Sequence, residues 1–306
     1  MTTQASALTI AGRPQKRVSF GRILAWAALV LMILSVLIPF WWMIRTALST
    51  NRELYANPTS LLPVGFTLIN FQRVLGMVTP AEAIAAGGSG QTLNFWLYLR
   101  NSAIVTTLIV VGQLFFSALA AYAFARLHFP LREQIFFLYI AALMVPGIVT
   151  LIPNFILVRN LGWLNTFQGI VAPAFLMSPF AVFFLRQFFL GINREVEEAA
   201  KIDGVSLFGS FWRIVVPLSG PPLATLGILT FIATWNEYLW PLLVGKDESV
   251  RVLTVALGVF RSQTPQGAPD WSGLMAAALL SALPSVILFL ILGRKAINSI
   301  QFSGVK

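Results

Sequence analysis

The stretch NREVEEAAKIDGVSLFGSFWRIVVP, residues 193–217, holds the densest run of charge in a chain that is only 10% charged. Its local chemistry is explicit. Asn193 is a good N-cap, and Glu195, Glu197 and Glu198 fill the first turns, where the helix dipole favours acid. Glu197 and Lys201 stand four apart and can pair. Val196, Ala199 and Ala200 fall at i, i+3 and i+4, one narrow face of small residues. Gly204 can adopt the left-handed conformation that ends a helix. Ser206 can cap a second amphipathic stretch that Pro217 closes. The segment reads as two short helices about a sharp turn, the second lying along a membrane surface. The small face would admit close approach of a partner; the plainer alternative is a solvated linker with helix-stabilising charges.

Around this segment nearly everything is apolar. The 306 residues are 57% hydrophobic with a mean hydropathy of +0.80. Soluble domains run about 45–50% apolar and about 25% charged, so the chain reads as an integral membrane protein. Cysteine is absent, which excludes disulfides and thiolate metal sites. The one histidine, His128, stands two residues after Arg126 at the end of an apolar segment, beside the water interface. A histidine-based triad would have to use it, and no nucleophile, base and orienting group come together around it. The net charge of +10 reads as cytoplasmic ends facing anionic lipid rather than as a nucleic-acid surface.

About 20 apolar residues span the hydrocarbon core. Six stretches qualify: 23–44, 103–125, 135–157, 169–189, 221–243 and 271–292. None alternates as a barrel strand does, and no repeat is visible. Pro146, Pro153, Pro173, Pro179 and Pro284 fall inside spans; they read as ordinary packing kinks or as bends that shape a cavity. The first span has a basic flank like a signal peptide. Its apolar run is too long for an h-region, however, and it ends in Trp41 and Trp42, an interfacial anchor, with no small-residue cleavage site. With the N-terminus inside, twelve basic residues lie on inner segments and eight on outer ones. Both termini are then expected in the cytoplasm, and so is the segment 193–217.

These residues resemble a known family. Glu198-Ala199-Ala200, three residues, Gly204, nine residues, then Ile214 and Pro217 match the EAA loop of permease subunits of ATP-binding cassette (ABC) importers, with Val216 in place of the usual leucine. From about Trp96 onward the chain is similar to the carbohydrate uptake branch, on the stretches NSAIVTT, AAYAFARLHFP, TWNEYLWPL and SALPSVILFLILGRKAINSIQFSGVK, and within it to G-type permeases of the maltose-transporter kind. The tail ends Gly304-Val305-Lys306, short of the final glycine common in that branch.

The resemblance implies an all-α membrane protein with six transmembrane helices in the type I ABC importer permease fold. The expected division is an N-terminal tail (1–22), a first helix with a long outer loop (23–95), a core domain (96–293) and a C-terminal tail (294–306). It implies a coupling helix in which Glu198 makes a polar contact to a cytoplasmic ATPase. Ala199 and Ala200 would pack closely, Asp203 and Gly204 make the turn, and Ile214 and Pro217 complete the motif. The implied partners are an ATPase pair carrying ATP and magnesium, a second permease of the F type and an extracytoplasmic solute-binding protein. The implied location is a bacterial or archaeal cell membrane. No cofactor is expected on this chain, which has no phosphate loop; Gly245-Lys246 is followed by Asp247. In the last outer loop, Gln263, Thr264, Gln266 and Gly267 are the candidates for contact with the binding protein. Asn236 and Glu237, toward the outer end of the fifth span, are candidates for a cavity or gate, where a carboxylate at membrane depth calls for a function or a partner. The other reading of the pair is an interfacial residue satisfied by a neighbouring helix.

Two other readings compete. A secondary transporter would show inverted repeats and several intramembrane ionisable groups, whereas Glu237 is the one acid near a span interior. An ABC permease for another solute, such as an amino acid or glycerol phosphate, remains open.

Overall fold

The computed structural model describes residues 20–88, 90–258 and 269–301, with side chains to residue 293. Every regular element among them is helical. In chain order they are α1 (Phe20–Ala47), α2 (Asn51–Ala56), α3 (Ile69–Val74), α4 (Pro80–Ala85), α5 (Phe95–Arg126), α6 (Arg132–Ala141), a 3-10 turn (Ala142–Met144) and α7 (Gly147–Asn160). There follow α8 (Phe167–Phe175), α9 (Pro179–Leu190), α10 (Arg194–Ile202), α11 (Leu207–Ser210), a π turn (Phe211–Val215) and α12 (Val216–Leu218). The last are α13 (Gly220–Trp235), α14 (Leu239–Val244), α15 (Leu253–Ala256) and α16 (Trp271–Gln301).

Three helices, α1, α5 and α16, are each long and apolar enough to cross a membrane unbroken. The other expected spans are not straight rods. The third bends by 98° between the 3-10 turn and α7, and the fourth by 42° between α8 and α9. Both breaks sit at an X-Pro step. Val145 before Pro146 and Ser178 before Pro179 are extended, because the proline ring excludes the helical conformation of the preceding residue. Pro146 and Pro179 therefore break helices, while Pro153, Pro173 and Pro284 lie inside helices that continue. The expected fifth span also differs. Its helix ends at Trp235, and residues 236–238 separate it from α14.

The α8–α9 break exposes backbone groups at membrane depth, where each must find a partner. Helix α5 supplies them. Ser117 Oγ accepts the Ser178 N–H at 3.0 Å, and Gln113 donates to the Ala174 carbonyl at 3.3 Å. Those are the two ends of the helical hydrogen bond that the break removed. Tyr139 of α6 donates to the Met177 carbonyl at 2.9 Å, and Thr230 of α13 donates to Gln113 at 3.1 Å. Gly112 permits this approach: a Cβ there would stand 2.5 Å from the Phe175 ring.

Helix α5 is the central post, packed by α8, α9 and α13, and α16 packs on α13 and α1. One core cluster joins the ends of α5 and α9 to Phe211 and Val215. Another joins Ala47, Val74, Phe95, Trp235 and Ala276. The segment 193–217 and the long loop 48–94 thus lie at opposite ends of the bundle. Over its most apolar eighteen residues α1 buries nothing against the rest of the chain.

Candidate functional site: the charged segment and the cavity behind it

The charged segment folds as its sequence dictates. Asn193 Oδ1 accepts the Glu195 N–H at 3.1 Å and caps α10. At the other end Gly204 has φ +80°. Its N–H reaches the Lys201 carbonyl at 3.0 Å, and the Val205 N–H reaches the Ala200 carbonyl at 2.9 Å. This is the Schellman pattern, which needs a left-handed residue at that position. Asp203 is the C-cap. Ser206 Oγ then accepts the Gly209 N–H at 3.1 Å and starts α11. The second helix is interrupted by the π turn, which places both Phe211 and Val215 fully inside the core. Ile214 within that turn is half-buried, and Pro217 is exposed in the first turn of α12.

The faces of α10 differ from the expected ones. Ala200 is buried against the chain's own body, whereas Val196 and Ala199 are exposed. The free face carries Glu198, Ala199 and Ile202, the last 87% exposed. Glu197 does not pair with Lys201. It turns inward, where its Oε1 lies 2.7 Å from Arg126 Nε at the end of α5. This is charge contact without hydrogen-bond alignment. Tyr122 donates to Glu197 Oε2 at 3.3 Å, and Arg126 also donates to the Ile192 carbonyl at 2.7 Å. The Tyr122 ring leans on Phe211, centroids 5.3 Å apart. So the same two residues of α5 hold both halves of the segment. The inward turn wins because Arg126 is buried and would otherwise lack a counter-charge, while Lys201 can be satisfied by water. His128 borders the small cavity of about 160 Å³ between α10 and the end of α5.

Beyond Gly204 the surface is apolar. Phe208 and Trp212 stand one turn apart and exposed, and with Asp203, Ser206 and Arg213 they line a groove. The sequence reading passed over these two residues. Their i, i+4 spacing was the available signal, but it also fits burial in lipid.

At the other end of the bundle Asn236 caps α13, its amide donating to the Ile232 carbonyl at 2.8 Å. Glu237 Oε1 accepts the N–H groups of Leu239 and Trp240 at 3.0 and 3.2 Å and so caps α14. Glu237 lines a cavity of about 440 Å³ among α5, α7, α8, α13 and α14; Asn236 does not. The structure separates this pair from the charged segment by the length of the bundle. Gln263, Thr264, Gln266 and Gly267 lie outside the described residues.

The profile of the family described as "Binding-protein-dependent transport system inner membrane component" matches residues 113–296. The chain is 32% identical over 300 residues to the probable ABC transporter permease protein YurM of Bacillus subtilis, covering 98% of this chain and 93% of the relative. It is 34% identical over 267 residues to the sn-glycerol-3-phosphate transport system permease protein UgpE of Yersinia pestis, covering 87% and 91%. Among solved structures, a chain of a bacterial ABC transporter involved in the import of the acidic polysaccharide alginate superposes with a TM-score of 0.75, over 92% of this chain and 99% of that one. At 23% identity it speaks for the fold.

Proposed function

The chain belongs to the binding-protein-dependent transport system inner membrane component family, and on that premise we propose that it carries a sugar or sugar-like solute across a bacterial or archaeal cell membrane. It is a transport subunit of an ABC importer rather than an enzyme, and the hydrolysis of ATP belongs to a separate subunit. The proposed coupling element is 193–217. Its exposed face, Glu198, Ala199 and Ile202, would enter a groove on a cytoplasmic ATPase holding ATP and magnesium. Asp203 and Gly204 set the turn, while Ile214 and Pro217 belong to the helix that lies behind the contact. Both termini would be cytoplasmic. A second permease of the F type would complete the membrane pore, and an extracytoplasmic binding protein would deliver the solute, with Gln263, Thr264, Gln266 and Gly267 as its proposed contacts.

The observation that carries this reading is the Arg126–Glu197 contact, because it ties the exposed helix to the central post of the bundle. A push on α10 would reach α5 directly, since packed cores move as units rather than deform. The similarity to a glycerol-phosphate permease supports a second reading, with an anionic solute. The test is purification from detergent of wild type and Gly204→Val, followed by solute uptake into vesicles with and without ATP. Recovery of an ATPase and a second permease with wild type, diminished with the variant, is expected. Solute uptake by the chain alone, without ATP, would overturn the reading.

A further inference from the structure

The cavity beside Glu237 carries information about the charge of the solute. Its volume of about 440 Å³ is within the range of ligand sites, roughly 300–1,000 Å³. Among the described residues no lysine, arginine or histidine lines it. Its one charged group is the Glu237 carboxylate. Glu237 Oε1 is engaged by two backbone N–H groups, but Oε2 has no protein partner among the described residues. The Asn154 amide, a donor and an acceptor on the facing α7, also has none. The hydroxyls of Thr106 and Thr234 add to the lining. Trp235 and Trp240 have their indole N–H groups engaged, by the Ser281 and Ile170 carbonyls at 2.9 and 3.1 Å, and so contribute apolar surface.

We propose that this cavity is a subsite for an uncharged, polyhydroxylated solute, held by Glu237 and Asn154 against indole surface, and that it disfavours phosphate- or carboxylate-bearing solutes. The proposal rests on the permease reading and narrows its solute. The chemistry is direct. A carboxylate oxygen accepts strongly from a hydroxyl donor, and such charge-assisted bonds exceed neutral ones. An amide can give and take in the same ring of contacts. An anion entering the same space would meet a fixed negative charge with no counter-ion among the described lining residues of this chain.

The test is equilibrium dialysis of the assembled transporter in detergent against radiolabelled maltotriose and trigalacturonate at millimolar concentration. Co-purifying ATPase activity is measured on the same sample. Saturable binding of maltotriose and none of trigalacturonate is expected. Glu237→Gln should weaken maltotriose about tenfold, by loss of one charge-assisted bond, and Glu237→Lys should abolish it. Saturable trigalacturonate binding by wild type would overturn the proposal. So would the binding of neither glycan, or maltotriose binding unchanged in both Glu237→Lys and Asn154→Leu. Absence of any co-purifying ATPase would instead strike at the permease reading, whatever the dialysis shows.

Discussion

Replacing Glu197 by glutamine removes one charge and almost no volume, so its effect isolates the contact with Arg126. In the wild type the two side chains are 12% and 5% exposed and their charged atoms are 2.7 Å apart. Both groups are largely buried beside a small polar cavity, so water compensates only in part. Orphaning one member of such a buried pair costs about 3–5 kcal/mol. Arg126 keeps its bond to the Ile192 carbonyl, which sets the expectation at the lower end, about 3 kcal/mol. At about 1.4 kcal/mol per factor of ten, that is roughly a hundredfold in the population with α10 seated on α5. The nine residues of α10 are too few to hold a helix without that seat. Uptake into vesicles by Glu197→Gln is therefore expected to fall at least tenfold while hydrolysis of ATP by the same preparation persists, because the ATPase has lost its grip on the bundle and not its chemistry. Arg126→Met with Glu197→Leu leaves no buried charge alone and should recover much of the thermal stability lost by either single change. Wild-type uptake together with wild-type thermal unfolding in Glu197→Gln would refute the reasoning.

Three further expectations follow from single contacts. Arg73 on α3 and Asp270 at the head of α16 form a bidentate pair at 2.6 and 3.1 Å, both almost fully buried, and Asp270 also accepts the Gly273 N–H. Asp270→Asn should lower stability by about 3 kcal/mol, read as an earlier melting of the purified protein. Gly112→Val forces α5 away from Phe175, whose ring and carbonyl lie 2.5 and 2.6 Å from the new Cβ. Overpacking of this kind costs about 1–3 kcal/mol, and protease digestion should cut near the α8–α9 break first. At Gly204 a Cβ would meet nothing within 4 Å, so the cost is the left-handed backbone alone, about 1–2 kcal/mol. Co-purification of the ATPase should then fall more for Gly204→Val than for Gly204→Asn, since asparagine tolerates that conformation.

The local features of the charged segment were legible because each is set by neighbours in sequence. Asn193, Gly204 and Ser206 cap and turn the chain through bonds reaching two to five residues. The long spans were legible from hydropathy for the same reason. What escaped was tertiary. Glu197 could pair locally with Lys201, and nothing near it in sequence says that a buried Arg126 on a distant helix competes better. Prolines announce a possible break but not its size. Pro146 and Pro179 break helices where Pro153 and Pro173 do not, and for Pro179 the difference comes with the partners that Gln113, Ser117 and Tyr139 supply to the freed backbone. Hydropathy ran the fifth span through Trp235 to residue 243, since Asn236 and Glu237 are too few to interrupt an apolar average. The capping bonds of Glu237 to Leu239 and Trp240 make the break.

The central claim is that the exposed face of α10 is what an ATPase grips. The chain contains no cysteine, so a single introduced thiol is unique. Ala199→Cys lies on the free face and Ala200→Cys, next to it, faces the chain's own body. With a short thiol-to-amine cross-linker on intact membranes, Ala199→Cys should join this chain to an ATP-hydrolysing subunit, and Ala200→Cys should not. Equal cross-linking from both positions, or none from Ala199→Cys in membranes that transport solute on ATP, would contradict the account.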